Sequence, residues 1–183
     1  HREARVLVGA AAELERVAAQ ARERRRLFAE HEGDGQRELV VVRLVRLLHR
    51  QVDGARLGIV GFCMGGRIVY LMSAATRELK AAVMFYGSST MTPLGEGPSP
   101  FDRTREISCP IQGHFGADDQ NPSPDDMRKL EAELTRWNKP HEFHTYAGAA
   151  HAFANAGSAN YRPHAAALAW PKAMEFFSRH LIG

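Results

Sequence analysis

The segment that most restricts the possible folds of this chain is Gly61-Phe62-Cys63-Met64-Gly65-Gly66, which places a cysteine among glycines. The apolar stretch 55–60 before it is typical of a short buried strand. The apolar stretch 67–72 after it predicts a helix without a breaker. Strand, tight turn and helix form the context of a nucleophile elbow, in which the turn holds a reactive side chain clear of the backbone. We therefore expect Cys63 at the tip of a sharp strand-to-helix turn.

Each residue type in this turn has a physical reason. Gly61 and Gly65 lie two positions either side of Cys63, where we expect the close approach of strand and helix to leave little room for a Cβ. The start of the following helix presents unpaired N–H groups that favour a thiolate, so we expect a lowered thiol pKa. The backbone N–H of Met64 is the expected donor to an oxyanion. A buried structural cysteine in a glycine-rich turn is the alternative, and the motif alone leaves both open.

Two later segments supply the acid and the base that a nucleophile needs. An apolar stretch at 110–115 predicts a strand, and the turn-rich loop after it carries Asp118 and Asp119. Residues 142–146 predict another strand, which a small-residue loop with His151 follows. Catalytic side chains are often carried on such loops. Nucleophile, acid and histidine thus occur in one of the chain orders known for catalytic triads.

Three motifs together resemble one protein family. They are the Gly61–Gly66 elbow, the Gly116-Ala117-Asp118-Asp119 turn and the Gly148-Ala149-Ala150-His151-Ala152-Phe153 loop. In this combination they look like the dienelactone hydrolase family, a cysteine-nucleophile branch of the α/β-hydrolase fold. The resemblance spans about residues 52–183, and its specificity comes from three motifs in the right order, each after an expected strand.

The resemblance implies Cys63 as the nucleophile, Asp119 as the acid and His151 as the base. Asp118 is the rival acid, but the family's aspartate stands three residues after the glycine of the turn, which is Asp119. The implied activity is hydrolysis of ester or lactone bonds in small molecules through a covalent acyl-thioenzyme. Asn155 stands four residues after the histidine, where members that cleave dienelactones carry an arginine for the substrate carboxylate. Dienelactone itself is therefore not the expected substrate.

Downstream of the elbow, strands and helices alternate, which predicts a mostly parallel sheet flanked by helices, as in an α/β-hydrolase fold. Residues 80–86 form the next expected strand, and 87–105 follow as a long surface loop at the edge where ligands bind. A helix capped by Ser123 should run to about residue 138. The last expected helix covers 165–180, with Pro171 starting a new segment because proline is tolerated in a first turn.

The first 50 residues do not match the several strands that precede the elbow in this family. They are rich in good helix formers, so we expect a helical lead-in over 1–50, without the usual early strands, within a single domain over 1–183. The loop that should supply a second oxyanion donor is hard to find there. The chain begins with His1 and not Met, as a fragment or a processed product would, which would account for missing early strands.

Composition limits the partners of the chain. Its 183 residues, 44% hydrophobic and 25% charged, suit one globular domain. The net charge is +3, but glutamates are interspersed with the arginines near residues 22–26, which favours a solvated helix face over a nucleic-acid patch. No run is long enough for a membrane span, and the start lacks a signal pattern. We expect a cytoplasmic protein with a small-molecule substrate, no cofactor, no nucleic acid and no membrane; the oligomeric state is not predicted.

Several other side chains have two interpretations. Tyr86, at the end of its expected strand, could contact substrate, but a packed tyrosine is the favoured interpretation. His141 and His144 fall in a strand, where this spacing puts them on opposite faces, so no metal site is expected. Phe153 and Trp170 are expected in the core because of their apolar area.

Two other functions remain as alternatives to a hydrolase. One is a non-catalytic or truncated α/β-hydrolase-like protein that serves as a binding module, suggested by the missing early strands. The other is a thiol redox protein that pairs Cys63 with Cys109, although the chain lacks the C-x-x-C spacing that tunes such pairs.

Overall fold

The computed structural model describes residues 54–93 and 95–182, in which strands and helices alternate. Four strands and three helices make up this part of the chain: β1 (Gly58–Phe62), α1 (Met64–Ala75), β2 (Ala81–Phe85), β3 (Ile111–Gly116), α2 (Pro124–Arg136), β4 (His141–Tyr146) and α3 (Pro163–Leu181). Short 3-10 helices cover Gly54–Arg56 and Phe101–Glu106. The predictions for residues 1–50, including the helical lead-in, the missing strands and the second oxyanion donor, lie outside the described residues. A single domain over 1–183 stays a prediction.

The four strands form one parallel sheet in the order β1-β2-β3-β4. Every residue of β2 and β3 is buried, as expected for parallel strands covered on both faces. The register pairs Phe62 with Phe85 and Gly116 with Tyr146. The carboxyl ends of all four strands therefore meet at one edge of the sheet, and the loops that leave this edge carry the predicted site.

Helices cover the sheet on its two faces. The helix α1 packs on β1 and β2, and the 3-10 helix Phe101–Glu106 contacts both α1 and α2. Right-handed crossovers between neighbouring parallel strands place such connections on one face. On the other face, α3 buries a stripe of small residues and one phenylalanine against alternate residues of β2; this cluster includes Ala81, Val83, Phe85, Ala165, Ala169, Ala173 and Phe176.

Most of the predicted elements are confirmed to within a few residues, with local differences. Residues 55 and 56 belong to a 3-10 helix, and the first strand starts later, at Gly58. The predicted surface loop 87–105 contains a 3-10 helix whose Thr104 is buried and lies 2.7 Å from the Tyr70 hydroxyl. Ser123 caps α2 through a reciprocal capping box with Asp126, which confirms the predicted start of that helix.

Two predictions for α3 are wrong. The helix continues through Pro171 without a new start. Proline leaves the carbonyl of Ala167 without its helical donor, but both residues are exposed, so water can bond that carbonyl. Trp170 is not a core residue: it is 41% exposed and its ring lies 5.7 Å from that of Phe62. Phe153 is fully buried, as predicted.

Candidate active site

The turn after β1 holds Cys63 in a conformation that few L-residues adopt, with φ 54° and ψ −120°. Such a conformation persists only where the surroundings enforce it. Here the Cys63 N–H donates to the Phe85 carbonyl at 3.0 Å, and its own carbonyl accepts from the Arg67 N–H at 3.2 Å. The helix α1 begins at the next residue, Met64. The exposed thiol therefore lies at a helix N-terminus, where unpaired N–H groups favour negative charge.

The structure shows crowding at different glycines of the turn from those predicted. A Cβ on Gly61 would lie 2.2 Å from the Gly65 carbonyl oxygen, so no larger residue fits there. A Cβ on Gly65 would meet nothing within 4 Å, which makes the predicted crowding at that position wrong. The backbone of Gly65 crowds Gly61, while the space that a Gly65 side chain would occupy is open. The second crowded position is Gly66, whose Cβ would lie 2.8 Å from Gly87 Cα.

The predicted acid and base meet beside this turn. His151 Nδ1 lies 3.0 Å from Asp119 Oδ2, and Nδ1 is the donor because a carboxylate oxygen can only accept. The other oxygen of Asp119 accepts the Asn121 N–H at 2.9 Å. Asp119 is 1% exposed, whereas Asp118 is exposed. The structure therefore brings Asp119, and not Asp118, onto the histidine.

Backbone contacts hold the acid loop against the histidine loop. The Asp118 N–H donates to the Ala149 carbonyl at 2.9 Å. A Cβ on Gly116 would lie 2.3 Å from the same carbonyl oxygen, so only glycine permits this approach. Directly after His151, Ala152 has a φ of 64°, which turns the chain sharply and leaves the imidazole partly exposed. The separation between the two loops is thus set by backbone packing.

Cys63 and His151 shift each other's pKa in opposite directions. Partial burial raises the pKa of Cys63, but hydrogen bonds from His151, the Met64 N–H and Ser88 outweigh it and hold the pKa below its ordinary value. Burial lowers the pKa of His151, but its bonds to Cys63 and Asp119 outweigh it and raise the pKa. Both shifts favour a thiolate and imidazolium pair. The Met64 N–H contributes a hydrogen bond to the Cys63 sulfur, and its role as an oxyanion donor stays a prediction.

Tyr86 packs behind the histidine. It is 2% exposed, and its ring lies edge-on to His151 at 5.1 Å and to Phe153 at 5.4 Å. Burial, with a smaller effect from the Cys63 charge, raises the pKa of its phenol to about 12. Tyr86 is not one of the described residues that line the cavity beside Cys63. This packing matches the favoured interpretation of a packed tyrosine, and contact with substrate stays a prediction.

A cavity of about 410 Å³ opens where these loops meet. Its described lining consists of Cys63, Ser88, Asp118, Asp119, Gln120, Asn121, Ala150, His151 and Asn160. Within residues 54–93 and 95–182, no group of three or more His, Cys, Asp or Glu side chains could hold a metal ion. The same part of the chain contains no helix long and apolar enough to cross a bilayer.

Sequence reasoning missed two polar residues that line the cavity, Ser88 and Asn121. Ser88 Oγ lies 3.9 Å from Cys63 Sγ, and Asn121 bonds the backbone and side chain of the neighbouring Ser89. Both follow strand ends at the carboxyl edge of the sheet, the place where α/β folds bind ligands. That position is the signal that could have found them.

Comparison with known proteins identifies the family to which the chain is similar. The sequence model described as "Dienelactone hydrolase family" matches residues 9–181. A relative in Escherichia coli K12, named "Putative carboxymethylenebutenolidase", is 35% identical over 133 residues, which cover 70% of this chain and 48% of that protein. A Bradyrhizobium relative, named "Probable 2-oxo-3-(5-oxofuran-2-ylidene)propanoate lactonase", is 36% identical over 141 residues, with 74% and 55% covered.

Solved structures agree with these relatives. That of "Putative Dienelactone Hydrolase" from Klebsiella pneumoniae has a TM-score of 0.65 and 33% identity, and the match covers 69% of this chain and 53% of that one. The chain spans about half the length of the curated relatives it matches. The predicted α/β-hydrolase fold and the resemblance carried by the three motifs are both confirmed. The chain belongs to the dienelactone hydrolase family, within the α/β-hydrolase superfamily.

Proposed function

We propose that this chain hydrolyses ester or lactone bonds in small molecules, with Cys63 as nucleophile, His151 as base and Asp119 as the acid that orients the base. One observation carries the proposal: a histidine bonded to a buried aspartate shares a cavity with a cysteine on a strained turn. The opposite pKa shifts of Cys63 and His151 support the same roles.

In the first half of the reaction, His151 holds the proton of Cys63, and the thiolate attacks the carbonyl carbon. A C–S bond forms, the carbonyl electron pair moves to oxygen, and the Met64 N–H stabilises that oxyanion. When the intermediate collapses, the C–O bond to the leaving group breaks. The departing alkoxide takes the proton from His151 and becomes an alcohol, or the freed hydroxyl end of an opened lactone.

Water completes the cycle. Neutral His151 takes a proton from water, and the resulting hydroxide attacks the thioester carbonyl. The C–S bond breaks, the carboxylic acid leaves, and the thiolate and imidazolium pair is restored. Throughout, Asp119 accepts from Nδ1 of His151, so Nε2 is the nitrogen that exchanges protons.

The substrate class rests on the relatives. Their names denote a carboxymethylenebutenolidase and a lactonase, which supports an ester or lactone bond in a small molecule. Asn155 is exposed, and its side chain accepts from the Gly157 N–H. Because an amide is uncharged, Asn155 offers no cation to a substrate carboxylate. We therefore do not assign dienelactone as the substrate. A cytoplasmic location stays a prediction.

The test compares two cysteine variants. Hydrolysis of p-nitrophenyl acetate by the full chain should fall to the uncatalysed rate in Cys63→Ala. The matched control, Cys109→Ala, removes a thiol 4% exposed and outside the cavity lining and should retain activity within about twofold. Intact mass measured during turnover should show one acyl group on the wild type and none on Cys63→Ala.

The alternative of a non-catalytic binding module predicts a different outcome. In that case the wild type and Cys63→Ala would release p-nitrophenol at the same background rate, and no acyl adduct would form. That result would refute the proposed hydrolase.

A further inference from the structure

Ser88 contacts the nucleophile twice. Its N–H lies 3.4 Å from the Cys63 carbonyl oxygen, and its hydroxyl oxygen lies 3.9 Å from Sγ. A thiolate can only accept hydrogen bonds, so with the sulfur charged the Ser88 hydroxyl is the donor. Ser88 is thus a second side chain on the reacting sulfur, beside His151.

The segment around Ser88 is fixed at several points. Tyr86 before it and Ser89 after it both have positive φ, 39° and 52°, which costs free energy unless contacts enforce it. The Thr90 hydroxyl donates to the Gly87 carbonyl at 3.1 Å. Further along, the buried Arg67 guanidinium donates to the Thr92 carbonyl. A strained segment with this many contacts is held in one conformation.

One amide side chain joins this segment to the acid loop. Asn121 Oδ1 accepts the Ser89 N–H at 2.7 Å, and Asn121 Nδ2 donates to Ser89 Oγ at 3.1 Å. The N–H of the same Asn121 donates to Asp119 Oδ1 at 2.9 Å. Asn121 therefore contacts the loop of the acid and the loop of Ser88 at the same time.

We infer that Ser88 donates a hydrogen bond to the Cys63 thiolate and that Asn121 positions Ser88 by fixing its loop to the acid loop. The inference rests on the proposed function, because it assigns further residues of the same site. No covalent bond changes: Ser88 keeps its proton and stabilises the anion. Charge-assisted hydrogen bonds of this kind are stronger than neutral ones, so the fraction of thiolate at neutral pH should depend on the hydroxyl.

Other charged or titratable groups lie around the sulfur, and the variants used in the test must leave them unchanged. His151 comes from the loop after β4, Tyr86 from the end of β2, and Asp118 and Asp119 from the loop after β3. On α1 the nearest cation is Arg67, which is buried and turned toward Thr92. Substitutions at Ser88 and Asn121 leave all of these in place.

The experiment measures alkylation of Cys63 by iodoacetamide from pH 5 to 9, with the Cys63 peptide quantified by mass spectrometry. Ser88→Ala should slow labelling near pH 6 roughly three- to tenfold, because the thiol titrates at higher pH without its donor. Ser88→Thr, which keeps a hydroxyl, should follow the wild type. Ser88→Val, with the shape of threonine and no hydroxyl, should follow Ser88→Ala.

Asn121→Ala should slow labelling by a similar factor or less, and combined with Ser88→Ala it should add almost nothing, since it acts through the same hydroxyl. The control is Ser108→Ala, which removes a hydroxyl bonded to the Ser73 and Thr76 carbonyls and should leave the profile unchanged. Circular dichroism melts confirm folding.

Wild-type labelling in both Ser88→Ala and Ser88→Val would overturn the role of Ser88. Independent, multiplying effects of Ser88→Ala and Asn121→Ala would overturn the positioning role of Asn121. Because alkylation needs no ester substrate, it still tests the roles of Ser88 and Asn121 if the protein fails to hydrolyse esters. Conversely, an unchanged alkylation profile in the Ser88 and Asn121 variants would not contradict the proposed hydrolase, which the Cys63→Ala variant tests separately.

Discussion

Cys63 lies exposed on a strained turn, with a helix N-terminus, a histidine and a hydroxyl around its sulfur. Cys109, just before β3, is 4% exposed, and burial raises the pKa of its thiol despite small opposing effects from Ser73 and Lys80. The two side chains are chemically identical, yet their pKa values move apart. Surroundings, and not residue type, decide which thiol can act as a nucleophile.

The same contrast separates two histidines. His151 is partly exposed and bonded to a carboxylate, and its pKa is raised. His114 is fully buried in β3, between the Tyr146 hydroxyl at 2.8 Å and the Gln112 side-chain oxygen at 2.9 Å. Burial, then the positive charges of His144 and Lys172, lowers its pKa to about 3. His114 thus stays neutral and structural, while His151 can hold a proton for the reaction.

The largest effect should follow loss of the base. His151→Ala should lower kcat/KM for p-nitrophenyl acetate on the order of 10³- to 10⁴-fold, since both proton transfers use this ring. It should also bring alkylation of Cys63 closer to that of an ordinary thiol. The control His164→Ala changes an exposed histidine at the start of α3 and should remain near wild type. Similar rates in the two variants would contradict the assignment of the base.

Loss of the acid should have the next largest effect. Asp119→Asn keeps the shape of the side chain but weakens the hold on Nδ1 of His151, so kcat/KM should fall about 10²- to 10³-fold. Asp118→Asn alters the exposed neighbour, whereas the imidazole bonds to Asp119, so it should change kcat/KM by less than about threefold. A larger loss in Asp118→Asn would exchange the roles of the two aspartates.

The two thiols of the wild type can also be compared directly. At pH 6.5 the native protein should incorporate iodoacetamide at Cys63 about 10²-fold faster than at Cys109, because the thiol of Cys63 is exposed and has a lowered pKa, while that of Cys109 is buried and has a raised pKa. In urea the two rates should converge. Labelling of native Cys63 only above about pH 8.5, as for a free thiol, would contradict the lowered pKa.

Much of this could be predicted from the sequence because parallel strands end at one edge of the sheet. Once each strand was recognised, the loops carrying Cys63, Asp119 and His151 had to lie close together. What could not be predicted depends on contacts between loops. The roles of the Ser88 hydroxyl and the Asn121 amide follow only from their distances to Cys63 and Ser89, which lie on other loops or far apart in the sequence.

Two wrong predictions show the limits of local rules. The rule that proline starts a helical segment failed at Pro171, because Ala167, whose carbonyl loses its helical donor, is exposed and water can replace that donor. Symmetry about the nucleophile suggested Gly65 as the second crowded glycine, but the helix brings Gly66 against the next strand's loop. Both outcomes depend on which side of an element faces its neighbours.

The smallest effect concerns stability and tests the contrast between the histidines. Because the folded-state pKa of His114 lies below that of an unfolded histidine, the unfolded chain binds the extra proton. The contribution of neutral His114 is therefore complete above about pH 6.5 and is lost as the pH falls toward 3. The free energy of unfolding should drop by up to about 1.4 kcal/mol per pH unit from this residue alone.

His114→Gln, which retains a donor and an acceptor, should flatten that slope when urea unfolding is measured between pH 5 and 8. His151 has a raised pKa, so its contribution is complete at low pH and is lost as the pH rises. Removing His151 should therefore change the slope in the opposite direction. Equal slopes in the wild type and His114→Gln would mean that folding does not lower the pKa of His114. The contrast between the two histidines would then rest on the raised pKa of His151 alone.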